Sequence, residues 1–259
     1  MTALPPAAAA RARRAALPFA LSAVLVAVLA GCAEDPDEGT NGVGKLEAPA
    51  IEAKAKAAAD GADAVRLAGT LVSKGGSYKL NMQLKKAGGT GSVTSKNSTF
   101  ELLRIGDALY LKADARFWSH PAPDGKGTSA SPGKDDLTAA DKLDDKYVKV
   151  PQDDPSYKQL RGFTDKNVLL EGLLGLHGTL SKGSRDTIGG VRTIEIMGGG
   201  GDGGTLDIAL EGTPYPLRLA RAGGAGALTL TDWGKDFELA APAKEETVDY
   251  GRQLPRGDD

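Results

Sequence analysis

Two histidines, one cysteine and scattered carboxylates are the groups with which this 259-residue chain could do chemistry. His120 stands in Trp118-Ser119-His120-Pro121, just before a Pro/Gly/Ser-rich loop, and reads as a solvated loop residue rather than a base. His177 follows a leucine-rich helix and reads as a C-terminal helix residue interacting with the dipole. Two histidines exclude a three-His catalytic zinc site, and one cysteine excludes a disulfide framework or a thiolate zinc site. Gly198 to Gly204 lacks the Lys-Ser/Thr and the following helix of a phosphate-cradling loop. It also lacks the repeated copies of a calcium-binding nonapeptide, and reads as a flexible hairpin loop. No Gly-x-Ser-x-Gly elbow occurs. Asp135-Asp136, Asp144-Asp145 and Asp153-Asp154 fall at loops and helix ends, where capping and solubility account for them. A glycosidase would need two opposed carboxylates in an aromatic-lined cleft, and nothing marks one. No catalytic residue and no metal ligand is assigned.

Cys32 differs, because its surroundings specify a chemistry. Arg11, Arg13 and Arg14 precede an uncharged apolar run from Ala15 to Ala30, short for a membrane-spanning helix of ~20 residues. The run ends in Leu29-Ala30-Gly31-Cys32, with small residues before the thiol. This order resembles the signal peptide and lipobox of bacterial lipoproteins. The resemblance implies removal of residues 1–31 and attachment of a covalent diacylglycerol and an N-acyl lipid at Cys32. The competing readings are a buried thiol or an uncleaved membrane anchor. The Arg13-Arg14 pair leaves both general secretion and twin-arginine export open.

Removing residues 1–31 leaves 29 basic and 34 acidic residues, a net charge of −5 over 228 residues. A mildly acidic surface does not adhere to anionic lipid, so acyl chains would have to supply the anchoring. The whole-chain charge of −2 gives no reason to expect nucleic acid as a partner. The expected partner is the membrane, through the lipid anchor.

Residues 32–44 are rich in Asp, Glu, Gly, Asn and Pro and read as a flexible acylated tether. Leu46 to Ala59 reads as a helix ended by Asp60-Gly61. Alternation then takes over. In Ser77 to Leu84, Tyr78, Leu80, Met82 and Leu84 share one face, as Val65, Leu67 and Leu71 do in the strand before. Further strands are expected at Gly91–Ser95, Ser98–Ile105, Ala108–Ala113, Tyr147–Val150, Val191–Met197, Thr205–Leu210, Tyr215–Arg221 and Ala227–Trp233. Helices are expected at Lys134–Leu143 and, as a pair, within Pro155–Leu176, the second from Asp165 to Leu176 with Val168, Leu169, Leu170, Leu173, Leu174 and Leu176 on one broad face. Residues 45–250 read as one α+β domain built on an antiparallel sheet, and 251–259 as a disordered tail.

What remains is apolar shape. The strand faces and the leucine-rich helix can form a filled core, or can stay partly apart and enclose a cavity for acyl chains. The pattern does not separate these. A surface interaction module and a hydrolase with an unrecognised site are the alternatives.

The order of segments carries a further resemblance. Its strongest parts run from Glu101 to Trp118 (ELLRIGDALYLKADARFW), Lys146 to Pro151 (KYVKVP), Pro214 to Leu219 (PYPLRL) and Leu228 to Gly234 (LTLTDWG), followed by Ala241-Pro242. Over about Lys45 to Tyr250 the chain resembles the actinobacterial LppX/LprA/LprF/LprG lipoproteins. This implies a LolA-like fold, a strongly curved antiparallel half-barrel sheet with helices packed on its concave face. It also implies an extracytoplasmic, non-enzymatic protein on the outer face of the cytoplasmic membrane. Such a protein binds an acylated envelope lipid or lipoglycan, with an envelope transporter as a further partner. On that analogy Val168, Leu169, Leu173 and Leu174 are helix-side walls of the lipid site, and Leu80, Met82, Leu206 and Ile208 are sheet-side walls. The Pro121 to Lys134 insertion is atypical and lies where a cavity mouth would be.

Overall fold

Alternating apolar side chains organise almost everything in the structure, a computed structural model that describes residues 36–73, 76–96, 98–119 and 140–249. The strands are β1 (Ala64–Ser73), β2 (Gly76–Lys85), β3 (Gly88–Thr94), β4 (Thr99–Ile105), β5 (Ala108–Ala113), β6 (Tyr147–Val150), β7 (Leu180–Ile188), β8 (Val191–Gly198), β9 (Thr205–Ala209), β10 (Pro216–Ala220), β11 (Gly226–Thr231) and β12 (Thr247–Asp249). The helices are α1 (Ala48–Gly61), α2 (Ala115–Ser119), α3 (Pro155–Thr164) and α4 (Lys166–Leu173). All twelve strands lie in one open sheet, in the order β12-β6-β5-β4-β3-β2-β1-β11-β10-β9-β8-β7.

Register shows how one face becomes a continuous apolar floor. Leu67 pairs with Met82 and Leu230, Leu80 with Val93, and Leu102 with both Gly91 and Leu111. On the other arm Leu219 pairs with Leu228 and Leu206, and Ile196 with Leu206. Because the side-chain period is two, each pairing keeps its neighbours on the same face. Twelve flat strands would span about 50 Å, far more than a few short helices can cover. Yet residues from β6 through β8 pack with α1, α3 and α4 in one apolar cluster. The sheet therefore curls around its helices.

Two glycines lie on the strands either side of β2. Gly69 faces Leu80 with φ +151°, and Gly91 faces Met82 with φ +154°. Backbone of this kind is costly for any residue with a Cβ, and it lets a strand coil sharply.

The fold expected from the sequence is present, with particular differences. The antiparallel rule has one exception, since β12 pairs parallel to β6 and makes the sheet mixed. β7 and β12 are strands that alternation does not reveal. β7 reads Leu-Ser-Lys-Gly-Ser-Arg-Asp-Thr-Ile, nearly all polar, with a register shift between Lys182 and Arg185. It is a free edge, and charged side chains with a bulge are the usual protection of an edge strand. The second helix of the Pro155–Leu176 pair stops at Leu173. Of the expected Lys134–Leu143 helix, residues 140–143 are helical and 134–139 lie outside the described residues.

Part of the stretch expected as a tether is pinned to the sheet. The Asn41 amide donates to the Leu210 carbonyl, and Asn41 Nδ2 donates to the carbonyls of Ala209 and Gly212. Arg185 donates to the Pro36 carbonyl and pairs with Asp37 at 2.8 Å. Arg192 donates to the carbonyls of Glu38 and Gly39. Val43, 3% exposed, enters the core. Few apolar residues signal order here, because backbone carbonyls and ion pairs hold the segment. Cys32, His120, the Pro121–Lys134 insertion and the tail at 251–259 lie outside the described residues.

Candidate functional site

The concave face of the sheet is closed by an elbow between two short helices. Asp154 caps α3, its carboxylate accepting from the Ser156 amide at 2.7 Å, and Pro155 opens the first turn. α3 ends at Thr164, and Asp165 at once caps α4 by accepting from the Val168 amide. One residue thus links the two helices.

Two buried cations hold this elbow. Arg104, 4% exposed on β4, donates from Nη2 to the Thr164 carbonyl at 2.9 Å and from Nε to Thr164 Oγ1 at 3.1 Å. Its Nη1 donates to the Gly106 carbonyl at 2.8 Å. Lys166, 3% exposed, donates to the carbonyls of Ala59 and Asp60, both at 3.0 Å, at the end of α1. Burial pushes both groups below their ordinary pKa values. Asp165 is the largest opposing influence at Arg104, and Asp60 at Lys166. Carbonyls at helix C-termini carry partial negative charge and lack intrahelical donors, so cations there satisfy groups that would otherwise be orphaned. The latch thus joins sheet, α1, α3 and α4 at one end.

The other end of α4 is tied by fewer hydrogen bonds, with Leu173 and Leu174 buried in the apolar core. Leu173 is followed by Leu174, Gly175, Leu176, His177 and Gly178. The Leu176 amide donates to Glu52 at 3.4 Å, and the His177 amide donates to the Gly203 carbonyl at 3.0 Å. The glycine run after β8 makes this approach possible: a Cβ at Gly203 would lie 1.8 Å from the His177 carbonyl oxygen. Here a crevice of about 150 Å3 opens, lined by Leu173, Leu176, Gly203, Gly204, Ala220 and Ala222, with Glu171, His177 and Arg221 among its remaining lining residues. A second, more open groove of about 520 Å3 lies beside Asp107, Lys149, Asp153 and Asp249.

The residues expected to line a lipid site occupy different places. Leu80, Met82, Leu206, Ile208, Leu173 and Leu174 are buried in one packed cluster, so α4 rests directly on neighbouring apolar side chains. Leu169 is half-buried at the margin of that cluster. Val168 is a correction: it is 56% exposed and faces away from the core. The inward face of α4 is Lys166, Leu170 and Leu173, at helical spacing, and Val168 falls opposite.

Among the described residues no three His, Cys, Asp or Glu side chains cluster as metal ligands. His177 is exposed and lies beyond the end of α4 rather than on it. The aspartate pairs act locally: Asp154 is a cap, Asp144 accepts from the Ala115 amide, and Asp145 pairs with Lys112 at 3.0 Å. No helix among the described residues is long and apolar enough to cross a membrane.

No protein-family model matches this sequence, and no curated protein does. Among solved structures, LprF from Mycobacterium bovis matches over 76% of this chain and 97% of its own, with a TM-score of 0.50 and 16% identity. The chain has the fold of LprF. LppX, a lipoprotein of Mycobacterium tuberculosis, aligns over 74% of this chain and 99% of its own, with a TM-score of 0.42 and 16% identity. The resemblance read from the order of segments is thus supported at the level of fold.

Within this LprF-like frame, sequence reasoning missed Arg104 and Lys166. Arg104 interrupts the apolar set of β4, where Leu102 and Arg104 share the inner face. A charge on the buried face of a strand was the available signal, because such a group is retained only with partners.

Proposed function

We propose that this chain is a non-catalytic lipoprotein, anchored through Cys32 on the outer face of the cytoplasmic membrane, that binds the acyl chains of an envelope lipid between α4 and the sheet and carries them within the envelope. The observation that supports this most is the asymmetry of the closure. A continuous aliphatic floor lies under a helix latched by the buried cations Arg104 and Lys166 at one end and tied at the other by two backbone amides.

The energetics are consistent with exchange. Each methylene moved from water into the protein contributes about 0.8 kcal/mol, so a long chain gains on the order of 10 kcal/mol. Leu173 and Leu174 would exchange contacts with the sheet for contacts with the chain and remain out of water. Most of the apolar cost of opening is thereby offset. The structure described above is the unloaded state in this reading.

A second reading is favoured by the direct packing of α4 on its neighbours: a sensor or accessory lipoprotein whose interior stays closed and which acts through its surface. Native mass spectrometry of protein purified without detergent separates the two. The carrier reading expects a co-purifying diacyl lipid, or uptake of added lipid at one equivalent. A chain that stays ligand-free and refuses lipid sinks it. The anchor is tested separately. The intact mass of membrane-extracted protein is expected to correspond to a chain beginning at Cys32 with two or three acyl groups. Cys32→Ala is expected to lose them, and an unmodified wild-type N-terminus overturns the anchor.

A further inference from the structure

We infer that the crevice between the free end of α4 and the β9–β10 end of the sheet is the portal through which an acyl chain enters, with α4 pivoting about the Thr164–Lys166 elbow. This rests on the acyl-binding reading above and assigns it an entrance.

Three observations converge on this place. The first is what the crevice touches. Leu173 and Leu176 form its helix side and Ala220 and Thr205 its sheet side. Leu173 belongs to the buried apolar cluster and Leu176 packs against it, so a chain lying in the crevice meets the apolar core at the helix side. The second is mechanical. The elbow is held by four hydrogen bonds, two from Arg104 to Thr164 and two from Lys166 to the end of α1, whereas the far end is tied by the Leu176 and His177 amides. A short helix so held opens at its free end. The third is chemical. Glu171, His177 and Arg221 line the same crevice and are exposed, while its inner walls are aliphatic or glycine apart from the uncharged Thr205. That is the arrangement an amphiphile needs, with polar partners for a headgroup outside and no buried charge on the path of its tail. The volume of about 150 Å3 equals that of roughly five waters, enough for the leading methylenes of one chain. The larger groove beside Asp107 and Asp153 has carboxylates on its lining and lies at the opposite, β4–β5 turn end of the sheet.

The test uses the rate at which the fluorescent fatty acid cis-parinaric acid enters the protein. Ala222→Trp fills the crevice from its rim and is expected to slow entry at least tenfold. Ala108→Trp, in the other groove, is expected to leave it unchanged. Because a tryptophan can disturb the fold, a second variant carries Glu171→Cys and Arg221→Cys in the Cys32→Ala chain, bridged by a long cleavable bis-maleimide. Loading is expected to be slow while the bridge is intact and to recover when it is cut. If wild-type protein loads and every variant loads at the same rate, the portal is elsewhere while the acyl-binding reading stands. Equal slowing by Ala222→Trp and Ala108→Trp also overturns the portal. A wild-type protein that takes up no probe overturns the acyl-binding reading itself.

Discussion

Arg104→Ala is expected to lower the free energy of unfolding by about 3–4 kcal/mol, read as a drop in the urea midpoint with an unchanged slope. The guanidinium satisfies the Thr164 carbonyl, Thr164 Oγ1 and the Gly106 carbonyl from a side chain that is 4% exposed. Truncation removes all three donors at once. The Thr164 carbonyl, at the end of α3, is left buried without its charged partner, and leaving a buried acceptor unpaired costs about 1–3 kcal/mol. The deleted side chain also leaves a void beneath the elbow. Arg104→Lys is expected to recover part of the loss, since an ammonium can reach one acceptor but cannot reproduce the planar fork. A change below about 1 kcal/mol for the alanine variant would show that the latch does not hold the helices to the sheet.

Gly91→Ala should destabilise the protein by about 4 kcal/mol, more than most buried leucine truncations of a single methylene or two. At φ +154° the backbone is open to glycine and strained for alanine. A Cβ there would lie 2.2 Å from the Asn81 carbonyl oxygen and 2.7 Å from Met82 Cα, both on the neighbouring strand. Relief requires β2 and β3 to separate at this pair. Gly162→Ala is the contrast within the same molecule. It lies in α3 with nothing within 4 Å of the added methyl, so a gain of up to about 1 kcal/mol is expected from helix propensity. Thermal melts of the two variants should move in opposite directions. If Gly91→Ala melts like the wild type, the strained glycine does not shape the sheet.

Arg104 and Gly91 show where sequence reading reached its limit. The strands containing them were legible, because Leu102, Leu109 and Leu111, like Leu80, Met82 and Leu84, repeat at a period of two. What Arg104 holds was not, because Thr164 lies 60 residues further along the chain. The same distance problem hid β7, whose cations Lys182 and Arg185 are satisfied by the segment at 36–46. It also turned Asn41, composed like a linker residue, into an anchor on Ala209. Val168 failed for a different reason. The leucine-rich stretch is apolar over so wide an arc that its pattern did not say which part faces the core, and packing chose Leu170 and Leu173.

The amino-acid order alone determined the alternation that makes a sheet with one apolar face, the run before Cys32 that resembles a lipoprotein signal, and the scarcity of histidine and cysteine. These are local or compositional properties, written in neighbouring residues. Tertiary structure alone decided how the sheet ends, which helix face turns inward and which end of α4 the buried cations hold. Those outcomes depend on buried cations and the Asn41 amide meeting backbone carbonyls across 60 to 168 residues, and hydrogen-bond partners so distant leave no periodic trace.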